Sequence, residues 1–448
     1  MRADSREGGV PLQGSAESSS PRGGVVAWYT VSVCLILYLF SQVDRQIVNL
    51  LVAPIQAAFG IGDFKMGLLM GPAFGVFYAF ATFPLAWLAD RVSRRAVVFV
   101  AIVFWAIAAC ASGLARSYEE LFVARMAVGI GEAALLPSSY VLVSQLFKRE
   151  RLATALSVLS MGSVGGMGLA FGLGGWLSSA AGRVTEVPFL GALEPWRLVF
   201  ILSGAPGFLL AFLILTVPDT SPHKQRTATE HSQSLLTFLR QHRFVACGAL
   251  LGFGLVSLCS TALSGWLPTY LIRTFGWNTA QAGMAAGLMV LAIGTVGKIG
   301  SGLIVDHWFA RGVLDAHLRY LMWMSFVAAP FAAAAFLIPQ VMICLALVGA
   351  YFLLPYANMG YGSAFVQLVT PPPLRGQTSA LFLFGANMFA MLGPSLVGWL
   401  SEKVFVGSTA LAWSLATVVG GGLACAALVL FYSLAAARVA LAQDSIQA

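Results

Sequence analysis

Charge is what this sequence has least of. Asp, Glu, Lys and Arg make up 10% of the chain and hydrophobic residues 58%, with a mean hydropathy of +0.83; soluble domains carry roughly 25% charged residues. Once the apolar runs are removed, no solvent-facing domain of useful size remains. The chemistry-bearing residues are also scarce and scattered. The histidines (His223, His231, His242, His307 and His317) lie in or near the polar connections. The cysteines (Cys34, Cys110, Cys247, Cys259, Cys344 and Cys425) all fall in apolar runs without metal-type spacing. There is no His-Glu-x-x-His, no Walker A loop and no Cys/His cluster. No metal, cofactor or disulfide framework is therefore expected, and a membrane-embedded enzyme is disfavoured. The first 24 residues are polar and rich in Gly, Ser and Arg, without the short apolar core of a cleavable signal, and read as a disordered tail.

What is present is a series of apolar runs, each long enough to cross a bilayer, which takes about 20 residues as a helix. Twelve spans are expected, over 25–53, 65–88, 96–115, 120–146, 152–181, 196–217, 244–272, 279–305, 318–338, 340–369, 376–401 and 408–435. The longest polar interval, 218–243, separates spans six and seven. The expected organisation is thus a tail (1–24), a six-helix bundle (25–217), a linker (218–243), a second six-helix bundle (244–435) and a C-terminal tail (436–448). Lys and Arg crowd one side of the membrane, as at Arg91, Arg94, Arg95, Lys148, Arg149, Arg151, Arg240 and Arg243. The other side has only Lys65, Arg116, Arg183, Arg197, Arg273 and Lys403. By the positive-inside rule both termini and the linker are cytoplasmic, and the net charge of +8 reflects topology, not nucleic-acid binding. The halves also echo one another. Arg151-Leu-Ala-Thr154 recurs as Arg375-Gly-Gln-Thr378, and Gly175-Trp-Leu-Ser178 as Gly398-Trp-Leu-Ser401. Asp90 closing span two is answered by Asp306 closing span eight. Matching positions in two halves indicate parallel six-helix repeats.

The anomaly is span one, which carries Asp44 and Arg45 well inside its apolar run. Each such charge costs about 3 kcal/mol near the bilayer centre on insertion scales, and so faces a protein interior or a water-filled cavity, usually with a partner. Span four supplies partners, Arg125 and Glu132, two turns apart on one helix face. Asp44 and Arg125 reach a similar depth, and their pairing keeps both in the bundle. A purely structural ion pair is the plain alternative. Span five is rich in glycine, from Gly162 to Gly175, which suits close helix packing and a bending point. In the second half Lys298 is the ionisable residue placed inside a span, and Tyr270, Tyr356, Asn358, Tyr361 and Asn387 are further polar candidates for a binding site.

The loop after span two reads Ala86-Trp-Leu-Ala-Asp90-Arg91-Val-Ser93-Arg94-Arg95. It resembles the loop signature of the major facilitator superfamily, Gly-x-x-x-Asp-Arg-x-Gly-Arg-Arg, with both glycines replaced by small residues. Arg125-Met-Ala-Val-Gly129-Ile-Gly131 in span four resembles that superfamily's Arg-x-x-x-Gly-x-Gly. The antiporter-type Gly-Pro of span five is absent, with Phe171 at the Pro position, while the second half keeps Gly393-Pro394. The resemblance implies an all-α membrane protein of two pseudo-symmetric six-helix bundles that transports by alternating access. It makes Asp90, Arg91, Arg94, Arg95 and Asp306 a cytoplasmic gate.

Together, Asp44-Arg45, Arg125, Glu132 and the Asp90 loop resemble the Spinster branch. That branch implies movement of lysolipids or sphingosine-1-phosphate-like amphiphiles. The charge distribution agrees, since the charged groups belong to the first half and the second half is rich in Leu, Phe, Met and Ala. Asp44 and Glu132 are the expected proton-coupling acids, and Arg45 and Arg125 the expected anchors for an anionic head group. Burial and a neighbouring guanidinium act on a carboxyl in opposite senses, which links protonation to conformation. The alternatives are a proton-coupled transporter of small organic anions such as sugar acids or organophosphates, and then a multidrug exporter. The expected partners are the amphiphilic lipid or organic anion, protons and the membrane lipids of a bacterial inner membrane, around a monomer. A ligand bound between the halves would discriminate: an acyl-like tail along the second half would favour the lipid, and a compact site bridging both halves the small anion.

Overall fold

The computed structural model describes residues 24–181, 193–218, 235–356, 358–371 and 374–447. The expected N-terminal tail and most of the linker lie outside them. The described residues are helical, without strands. The crossings are α1 Val25–Leu50, α2 Asp63–Arg91, α3 Arg94–Leu114, α4 Tyr118–Leu146, α5 Arg149–Ala181 and α6 Pro195–Leu215. The second half repeats the set: α7 Arg243–Phe275, α8 Thr279–Ala310, α9 Ala316–Ala335, α10 Val341–Leu353 continued by Asn358–Leu368, α11 Arg375–Lys403 and α12 Ala410–Ala435. Eleven of these are long and apolar enough to span alone, and α10 spans in two pieces. Twelve crossings return the chain to the side on which it starts, here the terminal face; the opposite side is the distal face.

The apolar runs carry no periodic stripe that would show where a helix breaks, and several break. α2 yields at Gly71-Pro72, where a Cβ on Gly71 would strike the Met391 carbonyl, so glycine is required for the approach of α11. α4 pauses at Ala133-Ala134, immediately after Glu132. α6 is reset at Pro206, and α8 carries a π-turn over Met289–Gly294. The expected C-terminal tail instead continues α12 as helix to Gln447. A short helix, Leu235–Gln241, occupies the end of the expected linker, and another, Val52–Phe59, lies between α1 and α2. Gly60 and Gly276 cap helices with φ of 61° and 68°, the left-handed turn that only glycine adopts without strain.

The halves meet along the distal part of the bundle. The first turns of α2 pack on the end of α11, and the glycines of α5 pack on the start of α8. Toward the terminal face, contact between halves thins to Phe384 of α11 against Phe80 and Phe83 of α2. The molecule is therefore shut at its distal end.

Candidate functional site

The two acids of the first half sit in different surroundings. Asp44 has a side chain with no solvent exposure. Its carboxylate accepts from Arg125 Nη1 at 3.5 Å and Trp105 Nε1 at 3.3 Å on one oxygen, and from Ser203 Oγ at 3.1 Å on the other. Those donors come from α4, α3 and α6, so this one carboxylate ties four helices together. Arg125 has a second task. Its two terminal nitrogens donate to the main-chain carbonyls of Asp44 and Arg45, each at 3.3 Å. At this point α1 tightens into the 3₁₀ turn Val48–Leu50, and the carbonyls of a helix's last turn lose their regular partners. The guanidinium fills that deficit. Asp44–Arg125 is a dry pair, 0% and 1% exposed, that fixes the end of α1 against α4.

The second pair borders open space. Arg45 Nη2 meets Glu132 Oε2 at 2.9 Å, and Ser41 Oγ donates to the same oxygen at 2.7 Å. Glu132 is unexposed, whereas the Arg45 side chain is 25% exposed. The guanidinium lies over the rings of Phe74 (4.3 Å) and Tyr78 (4.8 Å), a cation–π seat worth about 0.5–2 kcal/mol. Arg45 Nε and Glu132 Oε1 are buried without hydrogen-bond partners among the described residues. Glu132 thus keeps a free carboxylate oxygen beside an Arg45 that borders open space, whereas both oxygens of Asp44 are engaged, although Arg125 Nε, like Arg45 Nε, has no partner among the described residues.

Arg45 opens onto a central cavity of about 200 Å³. Gln46, Asn49 and Tyr78 join it on the first-half wall; Ser260, Thr261, Ser264, Tyr356 and Asn387 stand on the second-half wall. The Tyr356 hydroxyl reaches Met167 Sδ across the divide at 3.5 Å. Of the residues expected from sequence, Arg45, Tyr356 and Asn387 line this space. Asp44, Glu132 and Arg125 stand behind it. Tyr270 does not reach it, because its hydroxyl donates to the Phe336 carbonyl at 3.0 Å inside the second half. Tyr361 packs its ring against Phe253 and Tyr320, and its hydroxyl is buried away from the cavity. Asn358 begins the second piece of α10, and its side chain is outside the described residues. Lys298 is half-buried and is not part of the cavity's immediate lining. The hydroxyl wall had a signal that reading for charge overlooks: Ser257, Ser260, Thr261 and Ser264 recur at helical spacing in α7.

The expected gate residues do not bridge the halves in this conformation. Asp90 pairs with Arg94 at 2.6 Å on its own loop. Arg95 donates to the carbonyls of Leu215 and Val217 at the end of α6. Arg91 stacks on Trp87 at 3.8 Å. Asp306 is exposed and makes no ion pair among the described residues. The halves are instead joined at the distal face. Arg273, ending α7, grips Asp63 at the start of α2 with two nitrogens, each at 2.9 Å. Gln56 and Ser401 donate to the same carboxylate at 2.8 Å, and Glu402 of α11 accepts from the Phe64 amide at 3.0 Å. This cluster was absent from the sequence reading because its members flank the apolar runs, where charge is unremarked.

Comparison with known proteins agrees with this architecture. Residues 34–369 match the model of the Major Facilitator Superfamily. An MFS-type efflux pump of Mycolicibacterium smegmatis is 27% identical over 385 residues, 84% of this chain and 85% of the relative. A probable galactarate/D-glucarate transporter of Bacillus subtilis is 22% identical, covering 86% and 90%. Among solved structures, a bacterial homologue of the human lysosomal transporter Spinster, in an inward-facing and unoccupied conformation, superposes with a TM-score of 0.76. It is 21% identical, with 94% of this chain and 98% of that one covered. A family match over three quarters of the chain, on twelve helices in two halves around a charged cavity, is decisive: this chain belongs to the Major Facilitator Superfamily and is a multi-pass membrane transporter, not an enzyme.

Proposed function

We propose that the chain carries a small organic anion, such as a sugar acid, by proton-linked alternating access. The observation that supports this reading is the composition of the central cavity. A cationic Arg45 faces a wall of hydroxyl and amide groups contributed by the opposite half. A carboxylate on the guanidinium and substrate hydroxyls donating to the side-chain oxygens of Ser260, Thr261, Ser264 and Asn387 would use both walls; Ser260, Thr261 and Asn387 already donate within their own half and keep those oxygens as acceptors. The order of substrates expected from sequence is thereby reversed, because uncharged polar groups of α7 and α11 make the second-half wall polar at this depth. In this reading Glu132 is the coupling acid. Its protonation removes the charge that holds Arg45 and frees the guanidinium for a two-pronged grip on the substrate. Asp44 serves by keeping Arg125 and the end of α1 in place. In this reading the crowding of Lys and Arg at the terminal face supports cytoplasmic termini in a bacterial inner membrane, and the closed distal end then corresponds to an inward-facing state.

One observation favours the amphiphile as a second reading. An apolar cavity of about 250 Å³ lies between the Leu235–Gln241 helix, α7, α10 and α11, lined by Phe238, Leu250, Phe365 and Phe382 among others. The test uses purified protein in liposomes with and without an imposed pH gradient, offering gluconate in one arm and a lysophospholipid in the other. Gluconate uptake that responds to the gradient is expected. Arg45→Ala is expected to reduce it at least about ten-fold and Arg45→Lys to restore part of it, since a point charge lacks the fork. Transport of the lysolipid with none of gluconate would overturn the small-anion reading.

A further inference from the structure

Lys298 is the charged group for which the site described above gives no account. It lies in α8, about 18 Å from that helix's terminal end at Ala310 and about 28 Å from its distal end at Thr279, at 1.5 Å per residue. A helix of this length overhangs a hydrocarbon core of about 30 Å at both ends, so Lys298 lies inside the core and its stem carries the ammonium only part of the way toward the terminal surface. No Asp or Glu lies within ion-pair distance of its ammonium among the described residues. The next acid along the helix, Asp306, is two turns away and exposed. An ammonium costs about 3 kcal/mol at such a depth unless water or a counter-ion meets it.

The surroundings show where that counter-ion would come from. One turn before Lys298, a Cβ on Gly294 would lie 3.4 Å from the Tyr356 ring. A further turn back, Leu291 packs on Gly168 of α5 in the other half. Lys298, one turn beyond Gly294 in the regular helix that follows the π-turn, shares the helix side turned to Tyr356. Tyr356 and Met167 of α5 both line the central cavity. Lys298 thus borders the same inter-half space about one helical turn nearer the terminal face, on the wall opposite Arg45.

We propose that Lys298 binds a second acidic group of the substrate, so that the transported anion is a dianion with acidic groups at both ends of a short polar chain. The inference rests on the small-anion reading and narrows it. Charge balance supports it. With Glu132 ionised, Arg45, Glu132 and Lys298 carry one net positive charge; with Glu132 protonated they carry two, which matches two carboxylates. A neutral or singly charged ligand would leave the ammonium uncompensated in the loaded, dry state.

The test compares glucarate with gluconate, which share a six-carbon hydroxylated chain and differ by one terminal carboxylate. Wild-type protein in liposomes is expected to take up glucarate with a KM about ten-fold below that for gluconate, the ratio expected of one charge-assisted contact. Lys298→Gln is expected to erase that preference by raising the glucarate KM, and Lys298→Arg to retain part of it. Binding measured calorimetrically in detergent gives the same comparison without a variant. If wild-type protein takes up gluconate but shows no preference for glucarate, or Lys298→Gln shifts both acids equally, the dianion proposal is overturned and the small-anion reading stands. If wild-type protein takes up neither acid, the small-anion reading falls and the dianion proposal with it.

Discussion

Two acids, two arginines and two serines show how position divides labour among identical chemical groups. Asp44 and Glu132 are both unexposed, and each has an arginine beside it. Asp44 has donors on both oxygens, while Glu132 has both of its donors on one. Removing one member of a dry pair strands the other, at about 3–5 kcal/mol. Arg125→Ala is therefore expected to lower thermal stability in detergent by an amount of that order, and Asp44→Asn somewhat less, because the asparagine oxygen can still accept from Trp105 while its amide donates to Ser203 Oγ. The double variant should lose less than the sum of the two, which a double-mutant cycle on unfolding would show; strict additivity would mean that the pair is not coupled. Glu132→Gln should leave stability near that of the wild type but make uptake insensitive to a pH gradient. Of this site, the four charged residues and the Asp44–Arg125 pairing were legible, since a charge inside an apolar run must find a partner. The second role of Arg125, on the carbonyls of α1, was not, because nothing in the sequence marks the turn at Val48–Leu50. Nor was the retreat of Tyr270 and Tyr361 from the cavity, since helix rotation within a uniformly apolar run leaves no periodic trace.

At the scale of elements, α5 is the part whose composition does most to explain its neighbours. Its glycines fall into two rows. Gly162, Gly166 and Gly174 receive Tyr38, Gln42 and Leu50 of α1, inside the first half. Gly168 and Gly175 receive Leu291 and Ala280 of α8, across the divide, where Gly283 and Gly287 answer from the other side. In a membrane, close packing of small residues replaces the hydrophobic drive that joins helices in water. The first row packs within a half, which alternating access moves as a body; the second must open and close. Gly166→Leu is accordingly expected to destabilise the fold, since overpacking costs about 1–3 kcal/mol. Gly175→Leu is expected to leave the halves folded and prop the distal seam apart, lengthening spin-label distances between the distal ends of α5 and α8. Unchanged distances would show that the row is not a seam. The glycine content of α5 was legible as close packing, but its division into two faces depends on which helices lie beside it. The breaks at Gly71-Pro72 and Pro206 had local markers in proline, whereas the pause at Ala133-Ala134 had none.

For the whole molecule, the question is what holds it shut at the distal face. The twelve spans and two halves were legible in hydropathy and in the internal repeats, but a conformation is a balance between two sets of contacts that one sequence encodes equally. Here the distal contacts are made, and Asp90, Arg94 and Arg95 pair within their own half. Among the distal contacts, Asp63–Arg273 is the one that combines charge, a two-pronged geometry and opposite halves. Arg273 also donates to the Gln56 side-chain oxygen at 2.7 Å, and Gln56 Nε2 and Ser401 Oγ bring the donors on Asp63 to four, so the pair is held in register from both sides. With Arg273 about a third exposed, the pair is screened by solvent and is worth about 1–2 kcal/mol. That is small beside the stability of the fold, yet enough to move a two-state population five- to thirty-fold. Asp63→Asn or Arg273→Gln is thus expected to shift the protein toward the distal-open state without unfolding it. The shift would be read as longer spin-label distances across that face. Exchanging the two, Asp63→Arg with Arg273→Asp, should recover part of the closure. If the exchange recovers none while each single change opens the face, the neighbouring Gln56, Ser401 and Glu402 contacts hold the latch and the ion pair does not. High salt should weaken the closure of the wild type but leave the single variants unmoved, because only a charge pair has a screened component to lose.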